Sequence, residues 1–483
     1  MNAVLFQPLL SKTSDSRTPK YEQLYELLRE AILDGRISAG DKLPATRDLS
    51  QQLGIGRNAV ITAFEMLVAE GFLETRHGAG TFVAHLEGLI PVLRRGETST
   101  TVVKTNSLSD AMGRIDAFAA AQSDHRSGTI MLPANPPTAL FPHKAWQRCT
   151  QQAARQHDYD RADLMGDQLL RQELADYLSL TRGIRCSAEQ IMLTSGSLHG
   201  IAMALQVLVN PRERVLLEDR GYPGIDGALT GIGASPQIMP CDDHGVLTDH
   251  LAAYTARVMV ITPSRCFPMG GTLSLERRIA LLDWLYQADR WLIEDDYDSE
   301  FIFSGHSIAA LQSMDRSGRV IYTGTFSRTL FPSIRTGYLV LPEALVEVFN
   351  TYRRYTEGGM PTLQQHAMGL FMQQGHYARH LRRMRKHYQT KKAQLLSFMA
   401  QHFPNLKPLE TTGGMHLVFR LEGDDIAIAA GLNRAGIGAR ALSSYERAPL
   451  ADKGIILGYA ALEDEHLVRL QHALNGCLAQ TTS

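Results

Sequence analysis

The chain has no long apolar run. None of its 483 residues lies in a stretch of the roughly 18 consecutive apolar residues that a membrane-spanning helix needs. The first residues, MNAVLFQPLLSKTSD, show neither the charged start nor the cleavage site of a secretory signal. With 44% hydrophobic and 20% charged residues, the composition is that of an ordinary globular protein. We therefore expect a cytoplasmic protein without a membrane partner.

Cysteine and net charge are also scarce. The five cysteines are scattered and show no CxxC spacing, which argues against a disulfide framework or a zinc site. We predict no metal centre. The formal net charge is −1, and residues 1–85 contain 9 Lys and Arg against 10 Asp and Glu. Because no basic field covers the chain, any nucleic-acid binding must depend on a few well-placed arginines.

The length allows two to four domains of ~150 residues, and the patterns divide the chain into three parts. Residues 16–85 show helical periodicity followed by a hairpin pattern. Residues 86–128 lack a sustained period and are rich in Ser, Thr, Gly and charge, which predicts a linker, although MGRIDAFAAA can hold a helical turn or two. Residues 129–483 form the third part and alternate helical segments with short strands.

The first part has the pattern of a winged helix-turn-helix. An apolar stripe over YEQLYELLREAIL predicts the first helix, and Thr46 can cap a second that ends at Leu53. The turn GIG leads into a third helix from Arg57 to Glu70, and the pattern from Phe72 to Val83 predicts strand, turn and strand. In the third helix the residues expected to face inward are Val60, Ala63, Phe64 and Leu67, and those expected to face outward are Arg57, Asn58, Ile61 and Thr62.

This stretch closely resembles the GntR-type winged helix-turn-helix. In such domains the start of the third helix meets base edges and phosphates. The resemblance implies a double-stranded DNA partner, and the residues it implies as DNA contacts are Arg47, Arg57, Asn58, Thr62, Arg76, His77, Gly78 and Gly80. Lys42 fits a solvated surface charge as well as a phosphate contact.

The third part contains six short apolar strands separated by helix-length segments. The strands are QIMLTSG, RVLLEDRGYPG, RVMVITPSR, RWLIEDDYDSE, RVIYTGTFS and TGYLVLP. This alternation is typical of an α/β fold with a mostly parallel sheet and helices on both faces. Ligands of such folds bind at the carboxyl ends of the strands, and the polar residues of these segments fall there.

Three strand ends offer the chemistry of a phosphorylated ligand. The turn TSGS at residues 194–197 can cradle a phosphate with backbone N–H groups and hydroxyls, although many strand-to-helix turns look alike. Asp295 and Tyr297 lie at the end of the strand in LIEDDYDSEF, where an acidic end is more often a metal site or a helix cap. The position of Asp295, 33 residues before Arg328 of the turn TFSR, favours a cofactor site instead. Tyr222, before Pro-Gly, suits either ring stacking or simple packing.

With these residues the third part resembles a fold-type I pyridoxal phosphate (PLP) aminotransferase, which adds a small C-terminal α+β subdomain. The whole chain resembles the MocR subgroup of GntR regulators. The resemblance implies a homodimer, an operator with two half-sites, a small-molecule effector and a PLP site. In that site the phosphate-binding residues would be Ser195, Gly196, Ser197, Thr325, Ser327 and Arg335, while Tyr222 would stack on the ring, Asp295 would face the ring nitrogen and Tyr297 the ring hydroxyl.

Arg328 occupies the position where the family carries its lysine. A guanidinium stays protonated and its nitrogen lone pairs are delocalised, so it forms no useful Schiff base. No lysine lies between Lys144 and Lys386 to replace it. The arginine that binds the substrate carboxylate in active aminotransferases also lacks a counterpart, since Ile455 and Ile456 stand near its place, although Arg440 can approach from elsewhere. We therefore predict no catalytic residue.

The sequence leads to one main hypothesis and two alternatives. The main one is a DNA-binding transcription regulator whose retired aminotransferase-like domain senses a small molecule, either with PLP held noncovalently or with Arg328 turned onto Asp295 in place of a cofactor. The first alternative is a PLP-dependent aminotransferase with an accessory DNA-binding domain. The second is an architectural dimer that represses without a ligand.

Overall fold

The computed structural model describes residues 18–85, 109–121, 129–156, 158, 160, 163–303 and 308–481. The chain divides into two compact units, residues 1–107 and 108–483. Most of the predicted linker, 86–128, lies outside the described residues, so the three predicted domain limits stay predictions. Among the described residues, no helix is long and apolar enough to cross a membrane. All five cysteines are free thiols.

The N-terminal unit is a three-helix domain with a two-stranded wing. Its elements are α1 (Lys20–Leu33), α2 (Thr46–Leu53), α3 (Arg57–Ala69), β1 (Leu73–Arg76) and β2 (Gly80–Val83). The strands pair antiparallel, with Leu73 opposite Val83. The apolar stripes of the three helices form one core, in which Leu24, Leu49 and Val60 are fully buried. Thr46 is the first residue of α2 and makes no capping bond, so the predicted cap is wrong, and Ala45 holds the cap position.

The second unit contains the remaining elements. In chain order its helices are α4 (Asp110–Ala121), α5 (His143–Gln156), α6 (Gln168–Arg182), α7 (Ser197–Leu208), α8 (Pro223–Ile232), α9 (Leu275–Tyr286), α10 (Glu343–Thr356), α11 (Leu363–Gln373), α12 (His376–His402), α13 (Asp425–Arg434) and α14 (Asp464–Thr481). Its strands are β3 (Ile191–Thr194), β4 (Arg214–Glu218), β5 (Ser235–Met239), β6 (Cys241–Asp242), β7 (Gly245–Val246), β8 (Val258–Ile261), β9 (Trp291–Asp296), β10 (Val320–Thr325), β11 (Gly337–Val340), β12 (His416–Leu421), β13 (Arg440–Ala441) and β14 (Lys453–Gly458).

Seven strands form the large sheet in the order β3-β11-β10-β9-β8-β4-β5. Strands β5, β4, β8, β9 and β10 pair parallel, whereas β11 is antiparallel to both of its neighbours. The six strands predicted from the sequence are all present. Because the carboxyl ends of the parallel strands share one edge, the residues that follow β4, β9 and β10 meet there.

Helices cover both faces of this sheet, as predicted. Alternate residues of each strand point to opposite faces, so Ile293 and Ile321 pack with the apolar residues of α7 and α10. Their neighbours Leu292 and Val320 pack with α9 on the other face. The strands are therefore buried on both sides, which is why they read as continuous apolar runs.

The small C-terminal subdomain is a three-stranded antiparallel sheet in the order β12-β14-β13, with α13 and α14 beside it. Buried Ile455 and Leu457 of β14 join the main core of the unit. The predicted small α+β subdomain is thus present.

Helix α4 lies in the segment that the sequence predicted as linker, and it packs on α8. Arg114 donates from Nε to the Thr230 carbonyl at 2.9 Å and from Nη2 to the Gly231 carbonyl at 3.0 Å. A Cβ on Gly227 would lie 3.4 Å from the Phe118 ring, which shows that Phe118 of α4 packs against α8 at this glycine. The expected helical turn or two is a helix of 12 residues.

Candidate functional site

The turn between α2 and α3 sets the angle of the candidate DNA-reading helix. Gly54 ends α2 with a left-handed φ of 64°, a conformation that glycine adopts without steric cost. Gly56 then caps α3, so Arg57 and Asn58 occupy its first turn. Both side chains are exposed, as is that of Arg47 in α2.

The inward face of α3 is as predicted, and the outward face is only partly so. Val60, Ala63, Phe64 and Leu67 are buried. Ile61 and Thr62 are half-buried, because they lie on the border between the buried stripe and the solvent face. Arg57 and Asn58 are therefore the residues of α3 best exposed for DNA.

Arg76 is held in place on the wing. Its guanidinium bonds Glu74 at 2.5 and 3.0 Å and lies 4.7 Å from the centre of the Phe82 ring. His77, Gly78 and Gly80 are exposed at the tip of the hairpin. Lys42 also lies at the wing, since its Nζ is 5.8 Å from the same ring. Lys42 therefore lies beside the expected DNA contacts on the wing. The sequence alone did not decide between a surface charge and a phosphate contact for this residue.

The second candidate site begins at the start of α7. Gly196 caps this helix with a φ of 107°, and the first N–H groups of α7 point out of the helix end. The Arg335 guanidinium lies over this turn, since a Cβ on Gly196 would be 3.4 Å from Arg335 Nη2. Arg335 has a left-handed φ of 41° and is exposed. A cation over a helix N-terminus is an arrangement that suits a phosphate.

The end of β10 contributes two hydroxyls to the same place. Gly337 packs so closely that a Cβ on it would come within 2.7 Å of the Gly196 carbonyl carbon, which brings β11 and the turn before α7 together. The Ser327 N–H donates to Thr325 Oγ1 at 3.2 Å. The Ser327 Oγ is buried and has no hydrogen-bond partner among the described residues.

Ser195 is oriented by a histidine that the sequence did not indicate. His199 Nδ1 lies 3.1 Å from the Ser195 N–H and 2.9 Å from its Oγ, and Nε2 lies 2.6 Å from Glu357 Oε1. An N–H group can only donate, so Nδ1 is the acceptor and the ring proton resides on Nε2, facing Glu357. Ser195 and Ser197 are both half-buried at this turn.

Asp295 lies near the end of β9, deep in the site. Burial, together with the neighbouring charges of Asp296 and Glu218, raises the pKa of its carboxyl to about 7. Its Oδ1 is buried without a hydrogen-bond partner among the described residues. A buried acceptor of this kind suits the protonated nitrogen of an aromatic ring.

The two predicted tyrosines differ in solvent exposure, since Tyr297 is buried and Tyr222 is exposed. The Tyr297 hydroxyl is buried beside the Arg265 guanidinium, without a well-aligned hydrogen bond among the described residues. Tyr222 caps α8 and is 43% exposed. Its ring folds back over Gly224, where a Cβ would come within 2.5 Å of it, and a Cβ there would also lie 2.9 Å from Leu198 of α7. Tyr222 thus lies at the rim, close to the phosphate end.

Arg328 is not paired with Asp295, and that part of the sequence hypothesis is wrong. Its Nη1 donates to the Ala134 carbonyl at 2.6 Å, and no acidic oxygen of the described residues lies within 4.0 Å of its guanidinium. The chain before α5 brings that carbonyl to the side chain, with Ala134 at a left-handed φ of 56°. Burial raises the pKa values of Asp295 and Asp298, and the nearby positive charge of Arg328 offsets part of that rise.

Arg265, which the predicted site residues did not include, is a buried part of the site. Its Nε lies 3.1 Å from Asp298 Oδ2, and its Nη1 donates to the Gly413 carbonyl at 2.6 Å. Burial raises the pKa of Asp298 to about 6, although Arg265 acts in the opposite direction. Arg440 instead bonds Asn433 and the Ala439 carbonyl within the small subdomain.

One lysine from outside the predicted motifs also lies near Arg265. Lys392 of α12 donates to the Thr411 carbonyl and to Thr411 Oγ1. Burial and the charge of Arg265 lower the pKa of its amine to about 8. No sequence pattern indicates this proximity, since Lys392 is 64 residues beyond Arg328.

The two units together define a class of protein: a domain with the winged helix-turn-helix fold joined to a large α/β domain with a candidate ligand site at its strand ends. Residues 20–83 match the family described as bacterial regulatory proteins, gntR family. The large unit is similar to the α-aminoadipate aminotransferase LysN of Thermus thermophilus, with a TM-score of 0.68, 23% identity and coverage of 78% of this chain and 99% of that one. This likeness concerns the fold.

Two relatives match over nearly the whole length. The probable rhizopine catabolism regulatory protein MocR of Rhizobium meliloti is 33% identical over 461 residues, covering 93% of this chain and 92% of its own. The HTH-type pyridoxine biosynthesis transcriptional regulator PdxR of Corynebacterium glutamicum is 30% identical, covering 92% and 93%. The chain belongs to the MocR subgroup of the GntR family of transcription regulators.

Proposed function

We propose that the aminotransferase-like domain of this regulator is a sensor that binds PLP, or a close relative of it, without a covalent bond and without transamination. The observation that carries the proposal is the contrast within one site. The phosphate end has the groups an anion needs, whereas the position of the nucleophile holds Arg328. Because a guanidinium does not condense with an aldehyde, the ligand is held by contacts alone.

The residues present fit the cofactor. Its phosphate would be held by the N-terminus of α7, by Arg335 and by the Ser327 hydroxyl, which is buried and unpartnered among the described residues. Asp295 Oδ1, equally unpartnered there, would accept a bond from the ring nitrogen, and Tyr297 would meet the ring hydroxyl. Bound PLP supplies an aldehyde and an electron-poor ring, and this chain offers that aldehyde no amine in the usual place.

The name of the PdxR relative supports a ligand of this class, because it refers to pyridoxine biosynthesis. We further propose that the protein is a homodimer that binds an operator with two half-sites. A dimer presents two copies of α3, and each copy reads one half-site. Arg47, Arg57, Asn58 and Thr62 would then meet the major groove or its phosphates, with the wing residues Arg76, His77, Gly78 and Gly80 at the flanking backbone.

The test is a titration of the full-length protein with PLP, followed by melting temperature and by absorbance. We expect a rise in melting temperature for the wild type and none for Arg335→Ala, because the variant loses a charge-assisted partner of the phosphate. Arg354→Ala is the matched control, since Arg354 is an exposed arginine on α10. A wild type whose melting temperature is unchanged at millimolar PLP would contradict the proposal.

A second candidate, an aminotransferase with an accessory DNA-binding domain, is favoured by one observation. The Lys392 amine, with its pKa lowered to about 8, is partly deprotonated near neutral pH and lies close to Arg265. Borohydride reduction of the PLP complex followed by peptide mass spectrometry separates the two functions. We expect no adduct, and a PLP adduct on Lys392 would support the enzyme.

A further inference from the structure

Three arginines surround the ring end and the phosphate end of the site. Arg265 has a counter-ion in Asp298, at 3.1 Å. Arg328 and Arg335 have none, since no acidic oxygen of the described residues lies within 4.0 Å of either guanidinium. Arg335 is exposed to solvent, whereas Arg328 is half-buried, so Arg328 is the cation that an anionic group of a ligand would stabilise most.

A single phosphate accounts for only one of these cations. Arg335 lies over Gly196 at the start of α7, the place at which the phosphate is proposed to bind. Arg328 follows Ser327 on the chain, and its charge is felt by Asp295, Asp298 and His416, which belong to the ring end. A second anionic group of the ligand would therefore meet Arg328 beside the ring.

Asp295 does not supply that charge. It makes no ion pair with Arg328 within 4.0 Å, and its proposed role is to face the ring nitrogen. Its raised pKa of about 7 also leaves it only partly ionised near neutral pH. Arg328 therefore has no counter-ion among the described residues, and an anionic partner for it would have to come with the ligand.

We propose that the natural ligand of this site is a phosphorylated aromatic acid, in which a carboxylate bound by Arg328 stands where PLP carries its aldehyde. The inference rests on the proposed sensor function and specifies its ligand class. Arg328 uses Nη1 for the Ala134 carbonyl and keeps Nη2 and Nε, a pair of parallel donors that matches two carboxylate oxygens. An aldehyde oxygen is uncharged and accepts hydrogen bonds from these two donors less strongly.

Arg265 supports the same ligand class. It is 6% exposed, and its Nη2 has no hydrogen-bond partner among the described residues. The adjacent Tyr297 hydroxyl is also without a well-aligned partner there. A ring carrying a carboxylate next to a hydroxyl presents acceptors to both groups. A ligand with an amine in that position would instead be repelled by the two guanidinium groups.

The probe is 4-pyridoxic acid 5′-phosphate, which has the PLP ring and phosphate but a carboxylate in place of the aldehyde. Its affinity for the full-length protein is compared by calorimetry with those of PLP, pyridoxamine 5′-phosphate and inorganic phosphate. We expect the acid to bind about tenfold to a hundredfold more tightly than PLP, as charge-assisted bonds imply. Pyridoxamine 5′-phosphate, with its ammonium group, should bind most weakly of the three ring compounds.

The variant Arg328→Gln tests the contribution of the Arg328 charge to binding of the acid. Glutamine keeps an N–H for the Ala134 carbonyl but removes the charge, so the affinity for the acid should fall to that for PLP while PLP binding changes little. Arg354→Ala should leave every affinity unchanged. PLP added together with acetate tests whether a separate molecule supplies the carboxylate, and cooperative binding of the two would overturn the single-ligand proposal.

The remaining outcomes separate this inference from the proposed function. Binding of PLP as tight as that of the acid, or a preference for the acid that survives Arg328→Gln, overturns the inference and leaves the sensor function standing. If none of the three ring compounds binds to a wild-type protein that circular dichroism shows to be folded, both the inferred ligand class and the proposed sensor function are overturned.

Discussion

Asp295→Asn gives a quantitative test of the site's electrostatics. The pKa of this buried carboxyl is raised from 3.8 to about 7 in the folded protein, whereas an unfolded aspartate titrates near 3.9. Between these values the unfolded chain releases a proton that the folded chain keeps, so the free energy of unfolding falls as the pH rises. The loss is complete once the pH passes the folded pKa of about 7.

Each pKa unit corresponds to ~1.4 kcal/mol, so the shift of about three units is worth roughly 4 kcal/mol in all. Between pH 5 and pH 8, the part of this interval that lies below the folded pKa of about 7 spans about two pH units. Over this range the free energy of unfolding of the wild type should therefore fall by about 3 kcal/mol. Asparagine does not titrate. Relative to the wild type, Asp295→Asn should therefore be about 3 kcal/mol more stable at pH 8 than at pH 5.

Urea unfolding at the two pH values, followed by tryptophan fluorescence, measures this difference. All three tryptophans lie in the unit of residues 108–483, so the signal reports the domain that contains the site. Asp176→Asn, an exposed aspartate on α6, is the control and should show no such pH dependence. A difference between wild type and Asp295→Asn that is the same at pH 5 and pH 8 would refute the reasoning.

Two further predictions concern arginines. Arg57→Ala should cost roughly 1–3 kcal/mol in operator binding and relax the sequence preference, while Arg76→Ala should weaken binding to all DNA sequences evenly and flatten its salt dependence. Gel-shift titrations at several salt concentrations measure both effects. Unchanged binding by both variants, with the fold intact, would rule out these contacts. Arg328→Lys should bind PLP as a covalent, borohydride-reducible adduct with yellow absorbance, because an amine can lose its proton beside the cofactor. If peptide mapping finds the adduct elsewhere, position 328 does not face the aldehyde.

Much of the fold was predictable because its elements carry strong local patterns. The six predicted strands are apolar runs buried on both faces, and the three N-terminal helices carry clear apolar stripes. Strand β5 was missed because SPQIM combines a proline with polar residues, which an edge strand tolerates. The direction of β11 could not be predicted, since strand polarity leaves no mark on a single sequence.

The site was predictable only where its residues follow strands. Asp295 and Ser327 lie at the ends of the neighbouring parallel strands β9 and β10, so the general rule for parallel sheets places them together. Gly196 follows β3, which the antiparallel strand β11 separates from β10, and the rule alone does not place it there. The partner of Arg328 is a backbone carbonyl 194 residues away, which no side-chain pattern can reveal. Glu357 is similarly remote from His199, at 158 residues, and its contact depends on the packing of α10 near α7.

The hydrogen bond from Arg328 to the Ala134 carbonyl connects two separate parts of the large unit. Ala134 belongs to a segment tied to the small subdomain, where the Gly438 N–H donates to the Ile130 carbonyl at 2.6 Å and the Gly458 N–H to the Met131 carbonyl at 2.8 Å. Arg328 belongs to the strand ends of the large sheet. This one side chain therefore links the strand ends of the large sheet, through residues 130–134, to the small subdomain, so a ligand that binds the same guanidinium contacts the group that joins the two sheets.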